Sequence, residues 1–466
     1  MLFNKKQSGS ILLVTLVFTG IFAVASVGIA GMVNFQHKLA RQKVNWHNAL
    51  SIAEAGIEYY RWHLAHDPTD LQDGTSIEGP YLHNYNDPFG STIGQFSLNI
   101  SAPDVCSSNV SITSTGWTTE MPSTKRSVKI TYGKKSLADY AFLTNTDAWF
   151  GNTETIHGPV HSNGGIRQDG TNDSTVSSYL ETYTCQSYHG CSSGGEEKPG
   201  VWGSGSDNTL WEYPSSNIDF EALTVDMSAL QDIADNQNLY FGNLGLGYHI
   251  NFLADGTFDL YRIDQLENPV WGYDMDDWIR ERWDIKRESF LDNYAIPSSC
   301  AIIFIEDNVW VSGIVNGRVT LVAAKLPDVP SNRRNIIIHD NITYNQTNGN
   351  DVLGLIAQNN ILVPLYSAPD NLEIDAALLA QYGHVFRYQY ESNKIPYNIR
   401  DTITVYGSII TNQTWTWSWV NSSGATISGY EHTNTIYDPH LKYNPPPAFP
   451  TVDEYSVLQW EETTEK

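Results

Sequence analysis

Residues 11–33 form a 23-position run that is almost wholly apolar and has no charged side chain, and no other stretch of the chain is as apolar over that length. At about 1.5 Å of rise per residue, such a helix crosses a hydrocarbon layer roughly 30 Å thick. The remainder must then lie on one side of a single membrane. Lys5 and Lys6 favour a cytoplasmic N-terminus, an asymmetry weakened by Lys38, Arg41 and Lys43 beyond the run. A secretory signal cut after Ala23-Val24-Ala25 is the rival reading, because those residues are small.

The helical pattern does not stop at the apolar run. Phe35, Leu39, Trp46, Leu50, Ala53, Ile57, Tyr60 and Leu64 recur at steps of three, four or seven, a stripe expected to pack in a filament. Asp67-Pro68 supplies the break. The first half of such a rod suits lipid and the second is amphipathic. A plain anchor explains only the first half; a subunit stored in a membrane and later withdrawn into a fibre core explains both.

Charge narrows the partners. The 466 residues carry 52 acidic and 27 basic side chains, a net −25. A balance so negative repels phosphate backbones, which excludes nucleic acid as the expected partner. Residues 1–66 alone are basic, so one end suits anionic lipid while the acidic body suits water. With 41% hydrophobic and 12% aromatic residues, the chain is expected to fold rather than stay disordered.

Lys5-Lys6-Gln7-Ser8-Gly9, followed by Ser10-Ile11-Leu12-Leu13-Val14, resembles the basic leader, terminal Gly and apolar helix of type IV pilin-like proteins. Ala53-Glu54-Ala55-Gly56-Ile57-Glu58 is similar to the block closing the N-terminal region of PilX-type minor pilins. The resemblance covers residues 1–66 and implies a leader 1–9, cut by a prepilin peptidase after Gly9 to leave Ser10, and a pilin-like helix 10–66. It also implies a bacterial inner membrane, assembly machinery there, and other pilins or pseudopilins as partners. Major pilins of this class carry Glu at the fifth mature position, which here holds Val14. A neighbour's terminal amine would be left unpaired in apolar surroundings, which is costly, so a rare or tip subunit is expected.

Residues 67–90, rich in Asp, Gly, Pro and Asn, read as loop, with Asp67, Asp70 and Asp73 as an acidic linker or, less simply, calcium ligands. Residues 95–100, 109–115 and 127–132 alternate apolar and polar, the pattern of a small antiparallel sheet forming a head over 67–135. The fold class is therefore α+β, with a mainly β ectodomain to follow.

In that ectodomain, residues 136–450, short β-branched runs recur: 302–305, 319–322, 336–338, 355–356 and 361–363. The interval from Ile303 to Val319, Ile337 and Leu355 is near 18, which predicts a parallel β-helix solenoid, an ordinary β-sandwich being the alternative. Asn and Gly between the runs are expected to supply left-handed corners. Residues 156–166 read as an earlier coil, and 217–298 as an insertion with a helical run over 276–293. The proline-rich 437–450 is expected to run extended, and 451–466 to be a tail. Cys185 with Cys191 is the expected disulfide, and Cys106 with Cys300 a weaker second pair.

Chemistry is sparse. His157 and His161 are flanked by glycines and read as structural; neither a metal nor a cofactor is expected. Asp274, Asp276, Asp277, Glu281, Asp284 and Glu288 lie among Trp271, Trp278 and Trp283, as glycosidase carboxylates do, yet they alternate with Arg280, Arg282, Lys286 and Arg287 as a salt-bridged helix would. Trp415, Trp417 and Trp419 would share one strand face, either buried or stacked on a surface glycan. No catalytic residue is assigned. The sequence points to a non-enzymatic filament subunit displaying a large head for surface contact or adhesion; the alternative is a tethered or secreted polysaccharide-cleaving β-helix enzyme using Asp276 and Asp277.

Overall fold

The computed structural model describes residues 10–67, 69–103, 109–205, 207–220, 227–298, 300–421 and 424–463. Within them two compact units separate: 10–103 with 109–132 and 459–463, and 133–458.

The first unit is built on one helix, α1 (Ser10–His66). Strands β1 (Tyr81–Asn86), β2 (Thr92–Ser101), β3 (Val110–Thr118) and β4 (Arg126–Ser136) form an antiparallel meander, and the strand Thr451–Thr463 adds a fifth member beside β4. β3 alternates strictly between buried and half-buried residues, so Val110, Ile112, Ser114, Gly116 and Thr118 face inward. The three strands read from alternation are present. Two expectations are corrected. The loop 67–90 contains β1, whose inward positions are Tyr81, His83 and Tyr85 rather than aliphatic residues. The tail 451–466 is a strand over Thr451–Thr463, held through Glu461 to Lys129 and Glu462 to Arg126.

In the second unit most strands pair in parallel. One ladder joins, in spatial order, Tyr240–Phe241, Ala301–Ile305, Arg318–Ala323, Val352–Ala357, Asn371–Ala380, Ile399–Thr411, Phe142–Thr144, Val160–Ser162, Val176–Ser178 and Trp211–Glu212. A second joins Tyr248–Leu253, Val309–Val315, Ile336–Tyr344, Ile361–Val363 and Val385–Arg387. The spacing near 18 therefore mixes two interleaved ladders. Ile303 pairs with Leu321 and Leu321 with Leu355, whereas Ile337 belongs to the other ladder, opposite Trp310.

Continuous apolar runs arise because these strands are covered on both faces. Ala301, Ile303 and Ile305 enter one core with Leu321 and Leu355. Ile302 and Phe304 face the other way, under Met227, Leu230 and Ala234 of helix α2 (Met227–Asn236) and alongside Leu441 and Phe449. The proline-rich segment is anchored where Arg318 donates to the Pro445 carbonyl and Thr320 to that of Pro447. It opens with a 3-10 turn at Pro439–Lys442, where a leading proline needs no donor.

The corners differ from expectation in mechanism. Gly317 is left-handed, at φ +128°, but the corner asparagines are not. Their carboxamides link one level to the next. Asn308 Oδ1 accepts from the Asn335 amide at 3.0 Å, Asn335 Oδ1 from Asn360 at 3.1 Å, and Asn360 Oδ1 from His384 at 2.8 Å. Such bonds satisfy backbone groups that a corner would otherwise strand.

The helical run over 276–293 is likewise corrected. Trp278–Glu281 and Ile285–Ala295 are strands, and the latter pairs antiparallel with Thr257–Leu266. Its charges imitate a helix because most of its positions on both faces are exposed or half-exposed, so no apolar alternation marks it.

Candidate functional site

The functional candidate in the first unit is α1, whose two halves have different surroundings. Residues 11–33 are exposed throughout, and the best apolar window has a mean hydropathy of 2.4, long and apolar enough to cross a membrane by length and composition. Its few hydroxyls are internally satisfied. Thr15 donates to the Ile11 carbonyl at 2.9 Å, Thr19 to Thr15 at 2.7 Å, and Ser26 to Phe22 at 2.7 Å. A helix face without unpaired donors is what hydrocarbon requires. Gly9 and the leader lie outside the described residues; Ser10 begins the helix and Val14 is exposed.

The predicted stripe divides along its length. Phe35 and Leu39 are exposed, at 61% and 47%, and Leu50 is half-buried. Ala53, Ile57, Tyr60 and Leu64 are buried in the core that the unit's own sheet supplies, with Phe96, Leu98, Ile112 and Ile130. Trp46 is exposed at its rim, and the Arg126 guanidinium lies 3.4 Å from its ring centroid while bonding Glu462.

Helix and sheet approach to backbone contact. A Cβ on Gly116 of β3 would stand 2.4 Å from the Ala53 nitrogen and 2.5 Å from the Ala49 oxygen, and one on Gly56 would stand 2.3 Å from Ser114 Oγ. Only glycine permits that distance. This gives the Ala53–Gly56 block a physical purpose. Asn45, buried in α1, accepts from Thr118 Oγ1 at 2.6 Å and donates to the Arg41 carbonyl at 3.0 Å.

The linker acids cap turns and aromatic side chains. Asp70 accepts the amides of Gln72 and Gly74 and lies 2.9 Å from His63 Nε2; chiefly the Gln72 amide holds its carboxyl below the ordinary range. Asp73 accepts from Tyr59 at 3.1 Å and meets His83 at 2.6 Å. Burial pushes the Tyr60 phenol upward, and its hydroxyl donates to the Asp70 carbonyl at 3.0 Å. Asp67 accepts from Thr69.

In the second unit, Cys185 and Cys191 form the expected disulfide. Cys300 is also disulfide-bonded, while Cys106 lies outside the described residues. His157 meets Asp173 at 2.6 Å, and buried His161 meets Ser177 at 2.9 Å. The acidic residues serve different partners. Asp284 accepts from the Tyr366 and Ser367 amides, Glu288 meets His249, and Asp274 caps the turn at Asp276 and Asp277. Glu281 is buried, which pushes its carboxyl up to about 8.

The tryptophans do not form one exposed row. Trp417 is 1% exposed within the core, and Trp415 packs edge-on to Phe142 at 5.2 Å. Trp419 turns elsewhere, donating to the Arg387 carbonyl and meeting the Tyr273 ring at 5.5 Å. Only Ser418–Val420 is strand, so the spacing by two does not put the three on one face.

The chain matches no protein-family model and no curated protein sequence. Among solved structures it is similar to the competence-associated pilin ComZ from Thermus thermophilus, at 14% identity over 91% of this chain and 98% of that one, with a TM-score of 0.36. A likeness of that size carries no argument about fold or function.

Proposed function

We propose that this chain is a non-enzymatic minor subunit of a type IV pilin-like filament. It is first anchored in the bacterial inner membrane by α1, with its N-terminus in the cytoplasm, and is then assembled through α1 into a fibre. A prepilin peptidase releases the leader after Gly9. The inner-membrane machinery and the other pilins are its partners, and Val14 in place of a carboxylate makes it a rare member. The second unit, its parallel ladders wound as a β-helix, is displayed for contact with surfaces.

One observation carries the reading: a single uninterrupted helix has a lipid-length half wholly exposed and a second half locked by glycine contacts to its own sheet. An anchor needs only the first half, and a cleaved signal would not continue into a folded core. The exposed Phe35 and Leu39 are then the residues left for neighbouring helices, since Ala53, Ile57, Tyr60 and Leu64 are occupied within the subunit.

N-terminal sequencing of the mature protein tests this. A start at Ser10 supports the reading, whereas a start at Ser26 replaces it with secretion. Leu39→Asp should leave the chain in the membrane fraction while removing it from sheared filaments; undiminished incorporation would count against assembly through this face.

A further inference from the structure

Two aromatic groups far apart in sequence meet on the surface of the second unit. Strands Val270–Tyr273 and Trp278–Glu281 form an antiparallel hairpin in which Trp271 lies opposite Arg280 and Tyr273 opposite Trp278. Directly opposed residues share a face, so these four side chains project together. The other face is set against the protein: a Cβ on Gly272 would lie 3.0 Å from the Tyr388 ring. Trp271 and Trp278 are nevertheless 48% and 39% exposed. The Tyr273 ring is 5.7 Å from Trp278 and 5.5 Å from Trp419, which joins the patch from the far end of the chain. At the hairpin tip, Asp274 fixes the turn by accepting the Asp276 and Asp277 amides, leaving Asp276 and Asp277 exposed beside the rings.

We propose that this face binds a neutral polysaccharide. Sugar rings offer C–H faces that stack on indoles, and hydroxyl edges that carboxylates and a guanidinium can hold. Such an occupant fits all the groups present. An apolar protein partner would desolvate Asp276, Asp277 and Arg280 without replacing their hydrogen bonds. Anionic lipids, nucleic acids and acidic polysaccharides meet a chain of net charge −25. An exposed aromatic patch rimmed by polar groups is otherwise unfavourable to maintain in water.

The proposal deepens the surface contact assigned above and rests on that reading for its place in a fibre, although binding is measured independently of assembly. Full-length protein in lipid nanodiscs, free of sugar-headed detergent, is titrated calorimetrically with neutral β-1,4-linked hexasaccharides of glucose and of N-acetylglucosamine. Saturable binding of at least one is expected, weakened about tenfold or more by Trp271→Ala and by Trp278→Ala. Trp271→Phe, which keeps a ring, should retain most of it, and Trp62→Ala on α1 should change nothing. Circular dichroism checks that each variant is folded. Absence of saturable binding to both probes, or equal binding by both alanine variants, overturns the proposal. So does a wild-type dimer in sedimentation that Trp271→Ala abolishes, since a second copy would then be the occupant. Failed sugar binding with a mature start at Ser10 leaves the filament reading standing; intact binding with a start at Ser26 removes the filament and keeps the site.

Discussion

Gly116→Ala is the sharpest test of how α1 is seated. The added methyl would meet the Ala53 nitrogen at 2.4 Å, the Ala49 oxygen at 2.5 Å and the Ile52 carbonyl carbon at 2.9 Å. All three are helix backbone, so no side-chain rotation relieves them. Restoring ordinary contact moves the helix off β3 by about 1 Å, which forfeits a quarter to a half of the dispersion well for atoms along the seam. Overpacking of this kind costs about 1–3 kcal/mol, against a gain of roughly 0.5–1 kcal/mol from replacing a strand glycine. A net loss of about 1.3 kcal/mol follows from the middle of those ranges, or about eightfold in the opening equilibrium. Hydrogen exchange on the full-length chain reads it: amides of residues 49–64 should exchange about eightfold faster, since local opening free energies set protection. Gly194→Ala, whose Cβ would meet no atom within 4 Å, is the control and should leave the same amides unchanged. Protection over 49–64 that is identical in Gly116→Ala and wild type would refute backbone contact between helix and sheet.

Other consequences are as direct. Burial holds Glu281 at about 8 and Glu154 at about 7, so the folded chain keeps protons that the unfolded chain has released. Stability should therefore fall as pH rises from about 6.5 to 8, and Glu281→Gln should flatten part of that fall in urea midpoints at the two ends. Trp417→Ala should cost about 3–5 kcal/mol in urea unfolding, whereas exposed Trp271→Ala stays within about 0.5 kcal/mol. Replacing Cys185 and Cys191 by Ser, six positions apart, should cost about 2 kcal/mol by the same measurement.

What could be read from the residues depended on how each element meets water. α1 was legible because its first half is uniformly apolar and its second half is buried along one stripe. β2, β3 and β4 were legible because one face is buried and the other is not. β1 was hidden because Tyr81, His83 and Tyr85 do the work of aliphatic residues, and Ile285–Ala295 because neither of its faces is well buried. Doubly covered strands such as Ala301–Ile305 announced themselves as apolar runs, but not which ladder each would join. The stripe from Ala53 to Leu64 was legible as packing and a small sheet laid on the helix was expected, while the closeness of the two was not. That approach is fixed by Gly56 and Gly116, whose lack of a side chain is itself the signal. The patch of Trp271, Tyr273, Trp278 and Trp419 could not be inferred from spacing, because it depends on a long-range approach between Tyr273 and Trp419.

The fifth strand beside β4 sets a schedule for biosynthesis. Arg126 and its partner Glu462 are 336 positions apart. At roughly 5–20 residues per second, a ribosome needs about 15–70 s to deliver that carboxylate after making the guanidinium. During this interval the β4 border is an open template for any passing strand, the hazard that nascent-chain chaperones exist to suppress. Slowing translation within residues 137–450 should lengthen this exposure and raise the demand for such protection.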